Sequence, residues 1–196
     1  MTTVPAPRPA VDAAETAIRT RRSTIRLTTP APGPDELLDL LTAAATAPDH
    51  GQLRPWRVIV ICGDARARLG EAAAQAAPTA DLGARVAAKH MRAPLMLGLV
   101  FQPRDHPTIP PWEQLAATSG MATTLLLLLD ARGWGGVWFG GPYPDAPQVR
   151  KYLGINAGEQ LLGYLYVGTP LPGEAPRPRA IADVRSRISW IGDPAA

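Results

Sequence analysis

The sequence has very few cysteines and histidines, and this shortage removes whole classes of site. Cys62 is the only cysteine among the 196 residues, so no disulfide can form within the chain. A lone cysteine and three widely separated histidines, His50, His90 and His106, also disfavour a structural zinc site, because such sites draw four ligands from clustered cysteines and histidines. We therefore expect no metal, and the single cysteine fits a protein of a reducing compartment.

Long apolar runs are also missing. The first twenty residues contain Pro, Asp and Glu and no apolar segment of the kind that a signal peptide needs. The main uncharged stretch, residues 115–129, is shorter than the roughly 20 residues that a membrane-spanning helix requires. These absences predict a soluble, cytoplasmic protein that has no membrane partner.

The standard nucleotide and hydrolase motifs are absent as well. Gly133 and Gly135 have the spacing that begins a dinucleotide-binding G-x-G-x-x-G motif, but Trp138 stands in place of its third glycine. There is no phosphate-binding loop, no H-E-x-x-H and no G-x-S-x-G. Any cofactor must therefore be held in another way.

Lysine is scarce, so the basic residues are almost all arginines. Only two of the 20 basic residues are lysines, and the formal net charge is +3. Arginine suits bidentate capture of a phosphate, whereas so small a net charge does not indicate a nucleic-acid partner. No aromatic residues are interleaved with the cluster of Arg19, Arg21, Arg22 and Arg26, as a base-stacking surface would need.

Apolar periodicity predicts a chain in which helices alternate with a few buried strands. The predicted helices cover residues 10–20, a segment that opens at Asp35 and Glu36, and residues 65–77, 81–90, 113–132 and 146–153. The predicted strands cover residues 56–62, 95–101, 135–139 and 160–167. Helix 113–132 is apolar nearly all round, which is typical of a central, buried helix. The pattern favours an α+β or three-layer arrangement around one central sheet, in a single domain of residues 10–196 that follows a loose tail of residues 1–9.

Arg21, Arg22 and Ser23 form the first candidate site, directly after the first amphipathic helix. Two guanidinium groups and a hydroxyl on adjacent residues could clamp a phosphate and a polyol chain. The alternative is a solvated basic helix end, which the helix dipole favours by itself. The residues alone leave both interpretations open.

The loop of residues 48–56 leads directly into a predicted strand, where ligand-binding groups commonly lie. Its His50 could contact a ligand or cap local backbone, while Trp56 is more typical of a core residue. Glu113, at the start of the predicted central helix, is explained by the helix dipole, and a catalytic role for it is the weaker alternative.

A segment rich in glycine and aromatic residues follows the central helix. Residues 133–142 contain five glycines and three aromatic residues. Glycine allows backbone to approach a flat ligand closely, and aromatic side chains can border its ring. A strand flanked by two tight turns is the alternative interpretation.

Taken in order, these segments resemble the nitroreductase family, and within it the YdjA-like branch of NAD(P)H nitroreductases. The resemblance is carried by Arg21-Arg22-Ser23 with Arg26, Ala47-Pro48-Asp49-His50, Pro55-Trp56, Arg92-Ala93-Pro94, Trp112-Glu113-Gln114, residues 133–138, Gly163 and Gly168-Thr169-Pro170. It extends from about residue 17 to residue 170, which is most of the chain. No single segment is specific, but their order and spacing together are.

The resemblance implies an α+β fold with a central mixed sheet flanked by helices, and an intertwined homodimer that binds FMN at its interface. Arg21, Arg22 and Ser23 would then hold the FMN phosphate and ribityl chain. Thr46 and His50 would line the flavin from the second subunit. Close relatives carry a basic residue where this chain has Thr46, so one charged contact with the flavin would be missing.

The resemblance also assigns residues around the end of the central helix. Trp138, Phe139 and Gly140 would contact FMN, although Phe139-Gly140 replaces a more polar pair. A neighbouring stretch matches residues assigned to NAD(P): Leu128, Leu129, Asp130, Ala131, Arg132 and Gly133. The basic C-terminal contact with the FMN phosphate has no clear match, and Arg177 or Arg179 could supply it.

The implied activity is a ping-pong hydride transfer from NAD(P)H through FMN to a nitro, quinone or related small acceptor. The flavin carries this chemistry, so no catalytic side chain is expected. Two alternatives stay open: a flavin enzyme of other chemistry, such as a ring dehydrogenase or a flavin-fragmenting benzimidazole synthase, and a flavin-binding protein without turnover.

Overall fold

The computed structural model describes residues 11–173 and 182–192. Its helices are α1 (Val11–Thr20), α2 (Pro34–Ala44), α3 (Ala65–Ala74), α4 (Ala80–His90), α5 (Pro111–Ala131) and α6 (Pro147–Leu153). Its strands are β1 (Leu27–Thr28), β2 (Trp56–Cys62), β3 (Leu95–Phe101), β4 (Gly135–Phe139) and β5 (Gln160–Pro170). Short 3₁₀ turns lie at His50–Gln52 and Arg185–Arg187. The tail expected at residues 1–9 lies outside the described residues.

The described strands form one five-stranded sheet with β3 and β5 at its centre. β3 pairs with β2 on one side and with β5 on the other, and β4 also pairs with β5. Helices α3 and α4 form a hairpin that returns the chain from Cys62 at the end of β2 to its pairing partner Leu95 at the start of β3. The α+β fold with a central sheet flanked by helices is therefore confirmed.

The sheet was expected to be mixed, but every pairing between described strands is antiparallel. Strands β3 and β4 do run in the same direction, since the single helix α5 carries the chain back between them. However, β5 lies between these two strands and pairs antiparallel with each. A parallel pair is thus avoided by the insertion of one strand.

Helices cover both faces of the sheet. On one face, α2 and α5 pack against Leu95, Leu97 and Leu99 of β3. On the other face, α3, α4 and α6 pack around Met96 and Val100 of the same strand. β3 is buried along its whole length, as expected for a strand with helices on both sides. The predicted three-layer arrangement is confirmed.

Two predictions of burial are wrong. Strand β2 was expected to be buried, but it pairs only with β3 and lies at the sheet edge, where Val60 is 49% exposed. Helix α5 was expected to be central and buried, yet only one of its faces is buried, for example at Leu125 and Leu129. Periodicity cannot distinguish an edge strand from a central one, or reveal which side of an apolar helix meets the sheet.

The central helix is long enough to be compared with a membrane-spanning helix. α5 is 21 residues long, longer than the uncharged stretch within it, and it is apolar enough to cross a membrane by length and composition alone. Its buried residues pack against the sheet and α2, in one cluster with Leu37 and Leu165. This is the arrangement of a core helix.

Candidate functional site

The segment Arg21-Arg22-Ser23 connects α1 to β1 and runs beside the start of β4. The backbone N–H of Thr24 donates to the carbonyl of Gly136, at 3.1 Å. Arg21 and Arg22 are partly buried, whereas Ser23 is exposed. The basic cluster is therefore held on the sheet and does not extend freely into solvent.

Two guanidinium nitrogens of Arg22, Nη1 and Nε, differ in their hydrogen bonding. Its Nη1 donates to the carbonyls of Arg19, Thr20 and Arg21 at 2.6, 2.9 and 3.0 Å, and so caps the last turn of α1. Its Nε is buried and has no acceptor among the described residues. The helix-end interpretation is thus correct for one nitrogen, while the other nitrogen lacks the partner that buried donors normally have.

The end of β4 is set by two glycines with left-handed backbone. Gly163 (φ +115°) lies at a bulge in β5, and a Cβ there would collide with the carbonyl oxygen of Phe139. Gly141 (φ +77°) allows the chain to turn across the ring of Tyr164, which would lie 2.7 Å from an added Cβ. Both glycines permit close approaches that larger residues would prevent, and together they place Phe139 and Gly140 at the surface.

The three residues assigned to the flavin in this segment differ in burial. Trp138 is half-buried and donates from Nε1 to the carbonyl of Leu162 at 3.1 Å. Phe139 is 37% exposed and packs edge-to-face on Tyr166, with ring centroids 5.9 Å apart. Burial raises the pKa of Tyr166, so this support stays a neutral ring. Gly140 is exposed, and an added Cβ would have no heavy atom within 4 Å.

Strand β4 joins these two groups of residues. The basic segment meets β4 at Gly136, and the exposed segment begins at Phe139. Since a strand rises about 3.3 Å per residue, the four steps from Gly136 to Gly140 span roughly 13 Å. An elongated ligand could therefore contact both groups along one strand.

Thr46 lies at the rim of a surface pocket of about 320 Å³. The pocket is lined by Ala45, Thr46, Ala47, Pro48, Asp49, Gln52 and Arg54. The Thr46 hydroxyl donates to the carbonyl of Ala43 at 2.8 Å, so it completes the end of α2. The loop after it contains three left-handed residues, Gly51 (φ +71°), Gln52 (φ +51°) and Arg54 (φ +46°), a conformation that is rare for residues other than glycine.

His50 lies in this loop and is joined to the start of α5. Its Nδ1 is 2.6 Å from Oε1 of Glu113, and the two side chains are 61% and 32% exposed. The helix dipole explains an acid at this position, but it does not explain the contact with His50. The residues are 63 positions apart in the chain, so no local sequence signal could have revealed the pair.

The stretch matched to NAD(P) forms the last turn of α5 and the turn that follows it. Leu129 is fully buried in the core between α2, α5 and the sheet. Arg132 forms salt bridges with Asp39 and, at 4.0 Å, with Glu36 of α2. Leu128 and Asp130 are partly buried, and Ala131 and Gly133 are exposed. These contacts attach α5 to α2, and the assignment to NAD(P) stays a prediction.

The structure brings some of the predicted residues together and separates others. His50 lies at the beginning of α5, whereas the basic segment and β4 lie beyond its other end. A helix of 21 residues is about 30 Å long. Within one chain, His50 thus belongs to a different surface from Arg21, Arg22 and Ser23, whereas Thr46 precedes Ala47, whose Cβ lies beside Gly120 in the middle of α5. Arg177 and Arg179 lie outside the described residues.

Comparison with known sequences identifies the family. The model of the nitroreductase family matches residues 18–169. The chain is similar to the Escherichia coli (strain K12) protein named "Putative NAD(P)H nitroreductase YdjA", with 34% identity over 164 residues, or 82% of this chain and 89% of that protein. A "Putative NAD(P)H nitroreductase" of Haemophilus influenzae is 29% identical over 183 residues, or 90% of this chain and 98% of that protein.

Solved structures have the same fold. The nitroreductase-like family protein from Bacillus cereus matches with a TM-score of 0.80 at 26% identity, over 98% of this chain and 100% of that one. A nitroreductase with bound FMN from Bacteroides fragilis matches with a TM-score of 0.72 at 20% identity, over 91% of this chain and 98% of that one. Since the family model covers most of its length, the chain belongs to the nitroreductase family.

Proposed function

We propose that this protein is an FMN-dependent NAD(P)H oxidoreductase that reduces nitro, quinone or related small acceptors. We further propose that it acts as a homodimer in the cytoplasm. The observation that carries the proposal is the arrangement along β4. A basic segment suited to binding a phosphate lies beside one end of this strand, and an exposed segment of glycine and aromatic residues lies at the other end. The E. coli relative named "Putative NAD(P)H nitroreductase YdjA" and the fold neighbour with bound FMN support the same activity.

The described residues fit FMN on two counts. A phosphate oxygen would supply the acceptor that the buried Nε of Arg22 lacks, and the exposed Ser23 stands beside it for a ribityl hydroxyl. At the other end of β4, the open space over Gly140 leaves room for a flat ring against backbone. Arg21 adds a second guanidinium for a dianionic group.

When bound, FMN would accept a hydride from NAD(P)H and pass it to the acceptor. The chain's own residues would anchor the phosphate through the basic segment and contact the ring through the Phe139 segment. The sequence contains no second nucleotide-binding motif, so NAD(P)H and acceptor would bind at the same site in turn. This alternation is the ping-pong order implied by the family resemblance.

A second subunit would complete the site. His50 lies on a different surface from the basic segment, as expected if each flavin contacts both subunits. Apolar side chains of the described C-terminal segment are also exposed in the described part of the chain: Val184 is 57% exposed, Ile188 48%, Trp190 71% and Ile191 103%. Exposed apolar surface of this kind marks interaction sites, and a second copy would bury it.

Replacing Gly140 by valine tests the proposed position of the ring. Gly140 does not have a left-handed φ, and its Cβ position is open, so Gly140→Val should leave the melting temperature nearly unchanged. Filling space that a ligand occupies costs about 1–3 kcal/mol, which corresponds to a roughly five- to hundredfold weaker FMN affinity. Titration of apoprotein with FMN, followed by flavin fluorescence, measures this.

Gly33→Val is the matched control for this substitution. Gly33 also has no heavy atom within 4 Å of an added Cβ and has φ −70°. It lies at the start of α2, whose Glu36 accepts from Trp134 just before β4, so it is near the opposite end of that strand from Gly140. This variant should bind FMN as the wild type does. Unchanged FMN affinity in Gly140→Val would place the ring elsewhere.

A further inference from the structure

We propose that Glu113 is a positioning residue, which orients the imidazole of His50 so that its Nε2 can hydrogen-bond an electron acceptor. This inference rests on the proposed function, because it assumes that His50 lies beside the flavin site. It adds a residue to that site and assigns it to one half of the reaction, the transfer of electrons to the acceptor.

The contact between the two side chains defines which ring nitrogen is available. A carboxylate only accepts hydrogen bonds, so the 2.6 Å contact with Oε1 of Glu113 requires that Nδ1 of His50 carries a hydrogen. Nε2 has no hydrogen-bond partner among the described residues, and the His50 side chain is 61% exposed. The nitrogen left for another molecule is therefore Nε2.

Both ends of the pair are held in place. Glu113 lies in the first turn of α5, where the helix dipole stabilises a carboxylate. His50 precedes Gly51, whose left-handed backbone is seated against Ile109, with 2.8 Å between an added Cβ and Cδ1 of Ile109. A loop and a helix that are far apart in sequence thus meet at one short hydrogen bond, which defines the rotation of the ring.

A surface pocket lies beside the His50-Glu113 contact. Asp49 and Gln52, the residues on either side of the His50-Gly51 pair, line the pocket of about 320 Å³ beside Thr46. Oδ2 of Asp49 accepts from the backbone N–H of Arg54 at 2.8 Å, and the described residues include no hydrogen bond between Asp49 and the imidazole of His50. A partly exposed contact between a carboxylate and an imidazole adds little to stability, which leaves the orientation of His50 as the property that Glu113 controls.

The test is a double-mutant cycle on the FMN-loaded protein with Glu113→Ala, His50→Ala and both together. Stopped-flow absorbance would separate flavin reduction by NAD(P)H from reoxidation by 1,4-benzoquinone. Loss of orientation is expected to slow reoxidation about tenfold in each single variant, with no further loss in the double variant. Reduction by NAD(P)H should change less than twofold in Glu113→Ala.

Two further variants distinguish positioning from a structural role. Glu113→Gln keeps an oxygen that can accept from Nδ1 and should recover most of the reoxidation rate. Asp35→Ala removes another first-turn carboxylate, that of α2, and should affect neither half-reaction.

Additive effects in the double variant, equal slowing of both half-reactions, or unchanged reoxidation in Glu113→Ala would each overturn the inference. These outcomes are distinct from failure of the proposed function. That failure would appear in the wild-type protein itself, as an absence of bound FMN or of reduction by NAD(P)H.

Discussion

Replacing Trp190 and Ile191 together by serine should convert the protein from a dimer to a monomer at micromolar concentration and release most of its FMN. Trp190 is 71% exposed and Ile191 fully exposed within one chain, so in a dimer they would be large apolar anchors. Interface anchors of this type contribute 2 kcal/mol or more each, so the loss of two anchors should raise the dimer dissociation constant by roughly 800-fold or more. Sedimentation velocity and the FMN-to-protein ratio measure both effects.

The control for the dimer experiment is Met91→Ser. Met91 is an apolar residue that is 49% exposed at the end of α4, outside the C-terminal segment. This variant should remain a dimer with FMN bound. A wild-type monomer with full flavin occupancy, or a flavin-loaded dimer in the doubly substituted variant, would contradict a site shared between two subunits.

The second large effect is expected on stability, at Glu159. This carboxylate accepts from Nε and Nη2 of Arg57 at 2.9 and 2.7 Å, from Nε2 of Gln102 at 2.9 Å and from the backbone of Asn156 at 2.8 Å. Its side chain is 4% exposed, while that of Arg57 is 32% exposed. Glu159→Ala would leave Nε of Arg57, Nε2 of Gln102 and the N–H of Asn156 without this acceptor, while Nη2 of Arg57 keeps the carbonyl of Gly154. The expected cost is about 3 kcal/mol, the low end for a buried pair because Arg57 reaches solvent. The melting temperature should fall by roughly 6–12 °C.

The pH dependence of this loss follows from the pKa of Glu159. The hydrogen bonds from Arg57 lower that pKa from 4.5 to about 2 in the folded protein. A carboxyl with a lowered folded pKa stabilises the protein above its unfolded pKa, and this stabilisation is lost as the pH falls toward the folded value. The difference in melting temperature between wild type and Glu159→Ala should therefore be full at pH 7 and shrink between pH 4.5 and 2. A difference that is independent of pH over this range would rule out the charge as its source.

Much of the fold could be predicted from the sequence, because its strands are short, apolar and bounded by polar or glycine-rich turns. Strands β2, β3 and β4 begin and end at the predicted residues. β5 was predicted to end at Val167, but it continues to Pro170, because β1 pairs with Thr169 and Pro170. Such an extension depends on a partner strand more than a hundred residues away in the chain.

The candidate site could be predicted only as separate segments. The sequence suggests that Arg21, Arg22 and Ser23 belong together, but the capping of α1 by Arg22 depends on the path of the chain after the helix. The pairing of His50 with Glu113 likewise depends on the packing of the loop against α5. Local patterns identify residue types and turns, whereas tertiary packing decides which of their polar atoms remain available for a ligand.

The most direct test of the central claim is the visible spectrum of the purified protein before and after anaerobic addition of NAD(P)H. We predict a flavin spectrum that belongs to FMN released on denaturation, bleaching by NAD(P)H, and recovery when a quinone is added. A protein that holds no flavin even after reconstitution with FMN would contradict the cofactor assignment. A bound flavin that NAD(P)H does not bleach would contradict the oxidoreductase activity and indicate a flavin-binding protein without turnover.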